Sequence, residues 1–137
     1  VYCFDTDTLS AVIRRDPPLH LIRRLAQVAP TDQATTTINL GELLYGAARR
    51  GSEQLASRVR EVVATATSIL PFDEDAAEVY GPLRAQLERA GRRLDEPDLR
   101  IASIALSREL TVVTGNVRHF SRVPGLAVEN WLVESGS

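Results

Sequence analysis

The stretch Val1-Tyr2-Cys3-Phe4-Asp5-Thr6-Asp7-Thr8 decides the fold. Four apolar or aromatic residues run without alternation into an acid. A strand with one wet face alternates apolar and polar residues; an unbroken apolar run suits a strand buried on both faces. Such a strand needs helices on either side, so the run predicts the central strand of a parallel α/β sheet. Asp5 then falls where the strand stops and the chain turns. Open α/β sheets bind ligands in the crevice beyond the carboxyl ends of their strands. The first five residues thus place a carboxylate at an expected site. A plainer role competes with this one: Asp5 or Thr6 simply caps a helix over residues 9–15.

Outward from this strand, extended and helical patterns alternate. Pro17-Pro18 opens a second helix, with Leu19, Ile22, Leu25 and Ala26 at helical spacing. Pro30-Thr31-Asp32 is a turn, and 34–37 a short β-rich strand. Thr37 is expected to cap a helix over 38–50 that Gly51 stops. A helix over 53–67 carries the stripe Leu55, Val59, Val62, Val63 and Ala66. After the extended segment 69–72, Asp73 caps a helix with the stripe Ala76, Val79, Tyr80, Leu83 and Leu87. Gly81-Pro82 is expected to kink or split it. Residues 92–96 form a loop, and Pro97 opens a helix reaching Glu109. Residues 110–114 are a strand, 115–124 hold one helical turn at most, and 127–131 are a last strand. The order predicts one doubly wound α/β domain over 1–137, its central sheet mainly parallel and flanked by helices.

Composition agrees with an ordinary globular chain: 137 residues, 44% apolar and 25% charged. No run approaches membrane-spanning length, and no basic-then-apolar signal precedes the first strand. One cysteine, Cys3, allows no internal disulfide and fits a reducing, cytoplasmic setting. Its place in the central strand makes it a buried structural thiol. The net charge of −2 gives no global pull toward nucleic acid. All 16 basic residues are arginine, paired at 14–15, 23–24, 49–50 and 92–93. Arginine forks match phosphate geometry, though most of these suit solvated helix faces.

Three further polar residues interrupt apolar patterns. Glu42 shares a helical face with Ile38 and Tyr45, one turn into a helix that follows a strand. Asp98 heads the stripe Ile101, Ala102 and Ala105. A carboxylate on a core face is costly unless something pairs with it. Its alternative role is to complement the helix N-terminus, as Asp95 and Glu96 also could. Asn116 follows the strand 110–114. Asp5, Glu42, Asp98 and Asn116 each follow a strand end or begin a helix, so a parallel sheet gathers them at one edge. Clustered carboxylates repel and call for a cation. Oxygen ligands without a Cys or His set point to Mg²⁺ or Mn²⁺, and so to metal-assisted attack of water on a phosphodiester.

At these residues the chain resembles the PIN-domain ribonucleases, in particular the VapC toxins. Phe4-Asp5-Thr6-Asp7-Thr8 resembles the family's opening Asp-Thr-Asn segment. Thr37-Ile38-Asn39-Leu40-Gly41-Glu42-Leu43-Leu44-Tyr45-Gly46 resembles its second motif, with the glutamate on Glu42. Asp98-Leu99-Arg100-Ile101-Ala102-Ser103-Ile104-Ala105 resembles its Asp-x-x-Ile-Ala-Ala motif. Val113-Thr114-Gly115-Asn116-Val117-Arg118-His119-Phe120, then Val123-Pro124-Gly125-Leu126 and Glu129-Asn130-Trp131, resembles its C-terminal signature. The resemblance implies a Mg²⁺-dependent endoribonuclease acting on structured RNA such as tRNA or rRNA. It also implies a homodimer and inhibition by a VapB-like antitoxin. Asp5, Glu42 and Asp98 would be the metal ligands, with Asn116 beside them. Two positions depart from the pattern. Many relatives carry an acid at Asn116 or His119, and Asp7 stands where asparagine or serine is usual. Asp7 could restore part of the charge or cap the first helix. His119 could contact phosphate or stand as an exposed turn residue. Arg14, Arg92, Arg93 and Arg118 are the candidate RNA contacts.

Two other readings compete. Asp5-Thr6-Asp7-Thr8 nearly matches the Asp-x-Asp-x-Thr opening of haloacid-dehalogenase-like phosphatases, whose first aspartate is a nucleophile. That pattern needs Thr where Leu9 stands, and usually a later lysine; the chain has none. The second is a catalytically weak PIN-like module that only holds RNA or a protein.

Overall fold

The computed structural model describes residues 1–66 and 68–133. Five short strands, β1 (Tyr2–Phe4), β2 (Gln33–Thr36), β3 (Ser68–Leu70), β4 (Thr111–Val113) and β5 (Ala127–Glu129), form one sheet. Their order is β3-β2-β1-β4-β5, and every neighbouring pair is parallel. The first strand is therefore the central one, with Cys3 between Ala34 and Val112. Successive strand residues point to opposite faces. Cys3 and Val112 enter one apolar cluster, Phe4 and Val113 the other. Burial from both sides is why the opening run does not alternate. The Cys3 thiol is pushed up to about 12, by burial first and by the Asp5 charge second, which fits a structural role.

Helices cover both faces. On the Phe4 side lie α1 (Thr6–Ile13), α2 (Leu19–Ala26) and α4 (Glu53–Ala64), contributing Leu9, Leu21 and Val59. On the Cys3 side lie α5 (Glu74–Arg89) and α6 (Glu96–Ser107), contributing Leu83, Leu87, Ile101 and Ile104. Between them α3 (Thr37–Arg49) serves both clusters, with Leu43 in one and Ile38 against the other. A single turn, α7 (Val117–Phe120), follows β4 and buries Phe120.

Several boundaries differ from expectation. Thr36, still extended at the end of β2, caps α3 in place of Thr37; its hydroxyl accepts the Asn39 N–H at 3.1 Å. Gly81-Pro82 does not split α5, which runs through Pro82. The ring deprives the Glu78 carbonyl of its helical partner, but both residues are exposed and water can serve instead. The last turn of α6 stops short of Glu109, which is left-handed at φ 56°. The fourth helix ends at Ala64; Thr67, its expected end, lies outside the described residues. The last strand ends at Glu129, and Trp131 instead packs edge-on against Tyr2 and Phe4. Among the described residues no helix is long and apolar enough to cross a membrane.

Candidate active site

All five strands being parallel, their carboxyl ends open on one edge. Asp5, directly after β1, is 6% exposed. It is the N-cap residue of α1, yet its side chain makes no cap hydrogen bond. Its oxygens are used elsewhere. Asn39 Nδ2 donates to Oδ1 at 2.9 Å, and the Thr114 hydroxyl donates to Oδ2 at 2.8 Å. Simple capping therefore does not account for Asp5.

Asn39 is the hub of this arrangement. It is 0% exposed, three residues before Glu42 on one face of α3. Its Oδ1 accepts from Thr36 Oγ1 at 2.6 Å. The second Nδ2 proton goes to Thr6 Oγ1 at 3.1 Å, and that hydroxyl donates onward to Glu42 Oε1 at 2.8 Å. Every donor and acceptor of the Asn39 amide is used but one oxygen lone pair. One network thus runs from the end of β2 through α3 to both Asp5 and Glu42.

The other wall is less tied. Asp98 sits in the first turn of α6, half-buried, with Ile101, Ala102 and Ala105 behind it at 0% exposure. Its pKa is pushed up to about 6, by burial first and then by the charges of Asp5, Glu42, Asp95 and Asp7. Asp5 is also raised, chiefly by burial; bonds from Thr114, the Thr6 amide and Asn39 oppose this, and the Asp7 charge adds to it. The acids of α1, α3 and α6 therefore act on one another across a shallow cleft at the carboxyl edge of the sheet, Glu42 facing the groove beside α1 and Asp98 the recess beside α7.

Asp7 enters that cleft as a braced residue. Its Oδ2 accepts the Gly115 N–H at 2.8 Å. The Thr114 hydroxyl has one proton, which goes to Asp5, and it accepts the Asn116 N–H at 2.9 Å. Asn116 begins α7 half-buried; its backbone is tied to Thr114, and its side chain makes no hydrogen bond among the described residues. His119 and Arg93 line a small recess with Asp98, Asp95, Leu94 and Arg122. Arg14 lies beside Glu42 on a groove between α1, α3 and α4. Arg92 and Arg118 are exposed, on the loop before α6 and on α7.

The sequence reading passed over Asn39, Thr6, Thr36, Thr114 and Arg122. Asn39 carries the same signal that singled out Asp98, a polar side chain on a buried helical face. Thr114 ends β4 beside the end of β1, and only pairing across the sheet reveals the equivalence. Arg122 has no local signal.

The donor set at this edge is oxygen only, which suits a hard divalent cation. Among the described residues no three His, Cys, Asp or Glu side chains stand close enough to hold one ion together. The donor chemistry fits a metal, while Asp5 keeps both oxygens on Asn39 and Thr114.

A parallel sheet with carboxylates at its carboxyl edge is an α/β fold with an oxygen-donor site where such folds bind their ligands. The PIN domain model matches residues 2–126. The chain is 34% identical over 130 residues to the tRNA(fMet)-specific endonuclease VapC of Salmonella typhimurium, covering 95% of this chain and 97% of that one. It is 33% identical to ribonuclease VapC2 of Haemophilus influenzae, over 96% and 98%. VapBC2 of Rickettsia felis, solved bound to a promoter DNA fragment, superposes with a TM-score of 0.86 at 32% identity, over 95% and 98%. The chain belongs to the PIN-domain family, and within it to the VapC ribonucleases. It is thus a nuclease, and PIN-domain ribonucleases depend on a divalent metal. Membership sets aside the phosphatase reading of Asp5-Thr6-Asp7-Thr8.

Proposed function

We propose that the chain is the toxin of a type II toxin–antitoxin pair, a Mg²⁺-dependent endoribonuclease that cuts structured RNA, tRNA or rRNA, and so stops translation. The supporting observation is the meeting of Asp5, Glu42 and Asp98 at one sheet edge, with Asp5 and Glu42 joined through Asn39 and Thr6. These three acids would hold the ion after closing the gap that separates them here, and Mn²⁺ suits the same oxygens. A divalent cation there supplies an activated water and stabilises charge on the leaving oxygen. The chain's own residues orient that chemistry. Asn39 and Thr114 hold the Asp5 carboxylate, Thr6 holds Glu42, and Asn116 offers its amide to a phosphate oxygen. Arg14, Arg92, Arg93 and Arg118 contact the RNA backbone.

Residues 1–137 work as one PIN-like nuclease domain, as a homodimer in the cytoplasm. The partner is a VapB-like antitoxin. Relatives solved as VapBC complexes support this, as does the groove of about 490 Å³ whose walls are α1 and α3. An apolar antitoxin helix occupies that groove, and an antitoxin arginine reaches the acids, where its fork binds two carboxylate oxygens.

Sequencing RNA 5′ ends after induced expression tests the activity. New ends at a defined site, absent with Asp5→Ala, are expected; identical end profiles would refute it. The antitoxin is tested by purifying the chain with the product of the neighbouring reading frame. A stable complex that cleaves as fast as the free chain would contradict inhibition at the site.

A further inference from the structure

The recess beside Asp98 holds a residue that the acid cluster does not explain. Arg122, two residues beyond α7, donates from Nη1 to the Arg93 carbonyl at 2.9 Å. This bond staples the loop between α5 and α6 to the segment after β4. The recess measures about 50 Å³ and is lined by Arg93, Leu94, Asp95, Asp98, His119 and Arg122. Neither Arg93 nor Arg122 makes an ion pair among the described residues. The recess thus brings two arginines and a histidine beside two acids, Asp95 and Asp98. The Arg93 charge also acts on Glu88 of α5, adding to the Arg84 bond that holds that carboxyl below its usual range.

We infer that Arg93, His119 and Arg122 form a seat for one RNA backbone phosphate, next to the one that is cut. The inference rests on the ribonuclease reading above. A polyanion approaching Asp5, Glu42 and Asp98 meets repulsion, which cations placed between the acids and the strand offset. Guanidinium forks match phosphate oxygens, and a fork already fixed by a backbone carbonyl loses less freedom on binding. The seat is shallow, so the phosphate enters while its sugars and bases stay outside. It holds the strand against the Asp98 wall, opposite the groove that Arg14 borders.

The test measures binding of a synthetic RNA hairpin in EDTA, so that no strand is cut, between about 50 and about 200 mM salt. Arg93→Gln is the cleaner variant, because it keeps the carbonyl that Arg122 grips. Arg122→Gln removes both cation and staple. Arg108→Gln is the charge-matched control, at the opposite end of α6. The expected result is a salt slope lower by about one in Arg93→Gln and in Arg122→Gln, and a wild-type slope in Arg108→Gln. In the Mg²⁺ assay, KM should rise in both seat variants. A wild-type slope in Arg93→Gln, with only a lowered melting temperature in Arg122→Gln, would reduce Arg122 to a loop staple and overturn the seat. A wild-type chain that neither binds nor cuts RNA would overturn the ribonuclease reading itself.

Discussion

The two walls of the cleft are built differently. On the β1–α3 side, Asp5 is buried and both its oxygens are held, and the network that holds it extends to Glu42. On the α6–α7 side, Asp98 is half-buried, its side chain makes no hydrogen bond among the described residues, and it is pushed up to about 6 by burial and by its acidic neighbours. One wall is a rigid reference. The other carries a carboxylate whose burial and acidic neighbours oppose its charge. The contrast implies that damage to the first wall harms the fold, whereas damage to the second harms only the chemistry.

The largest effect should come from Asp98→Asn. Losing even an outer partner of a metal ligand costs about 10–100-fold, so loss of a ligand should lower RNA cleavage by more than about 100-fold. Stability without metal should stay level or rise, because like-charge repulsion disappears. RNA cleavage at wild-type rate would remove Asp98 from the site.

Asn39→Ala strikes the rigid wall. It leaves Asp5 with one donor fewer and strips Thr36 and Thr6 of partners, with Asp5 and Thr36 both buried from water. A buried polar group left unsatisfied costs about 1–3 kcal/mol. Urea unfolding in EDTA should show a loss of that order, with partial loss of cleavage. A variant as stable as wild type would mean that the two walls do not differ in the way argued.

Acidity sharpens the contrast further. In the fold the Asp98 carboxyl is pushed up from an ordinary 3.8 to about 6, by burial first and by the Asp5 and Glu42 charges next. Between about pH 4 and 6 the folded state therefore binds more protons than the unfolded chain, and stability falls as pH rises through that window. Asp5, also raised, acts in the same direction. Asp73 and Glu88 are held low by the Ala76 amide and by Arg84, so their contribution is lost only at more acid pH. Melting in EDTA should thus show stability declining from about pH 4 to 6, less steeply in Asp98→Asn. Added Mg²⁺ should stabilise more at pH 7 than at pH 5, because the ion competes with the proton. Equal stabilisation at both pH values would argue against ionised carboxylates as the ligands.

How much of this was legible beforehand follows the range of the interactions. The buried centre strand was readable because period-two alternation fails visibly in residues 1–4. Asp98 was readable because a charge on a 3.6-residue apolar stripe is a local contradiction. Glu42 and Asp5 needed only the rule about strand ends. The Asn39 hub was not readable as such: its partners Asp5 and Thr6 lie 34 and 33 residues away, and their hydroxyl and carboxylate directions are set by tertiary packing. The Arg122–Arg93 staple spans 29 residues between two loops and has no periodicity at all. Thr35, Thr36 and Thr37 carry the same hydroxyl, and only the backbone turn chooses Thr36 among them as the cap.

Asp7 is where the two walls are tied together, and it should give the smallest effect. Its Oδ2 accepts the Gly115 N–H, joining α1 to the loop that leads to Asn116. A β-carbon on Gly115 would lie 2.8 Å from that oxygen and 2.9 Å from Leu132 Cδ1, so the approach depends on glycine. The Asp7 charge also raises both Asp5 and Asp98. Tie and charge can be separated. Asp7→Asn keeps an oxygen acceptor for the Gly115 amide and removes only the charge. Gly115→Ala keeps the charge and disturbs the tie. One screened charge at this range is worth about 1 kcal/mol or less, a several-fold change in affinity. Asp7→Asn should therefore weaken Mn²⁺ binding several-fold, read by the EPR signal of free ion, at unchanged melting temperature. Gly115→Ala should lower the melting temperature by the equivalent of about 1–3 kcal/mol, as overpacking does. If instead Asp7→Asn melts lower and binds Mn²⁺ like wild type, Asp7 is a brace alone. The negative potential of the cleft would then come from Asp5, Glu42 and Asp98 without it.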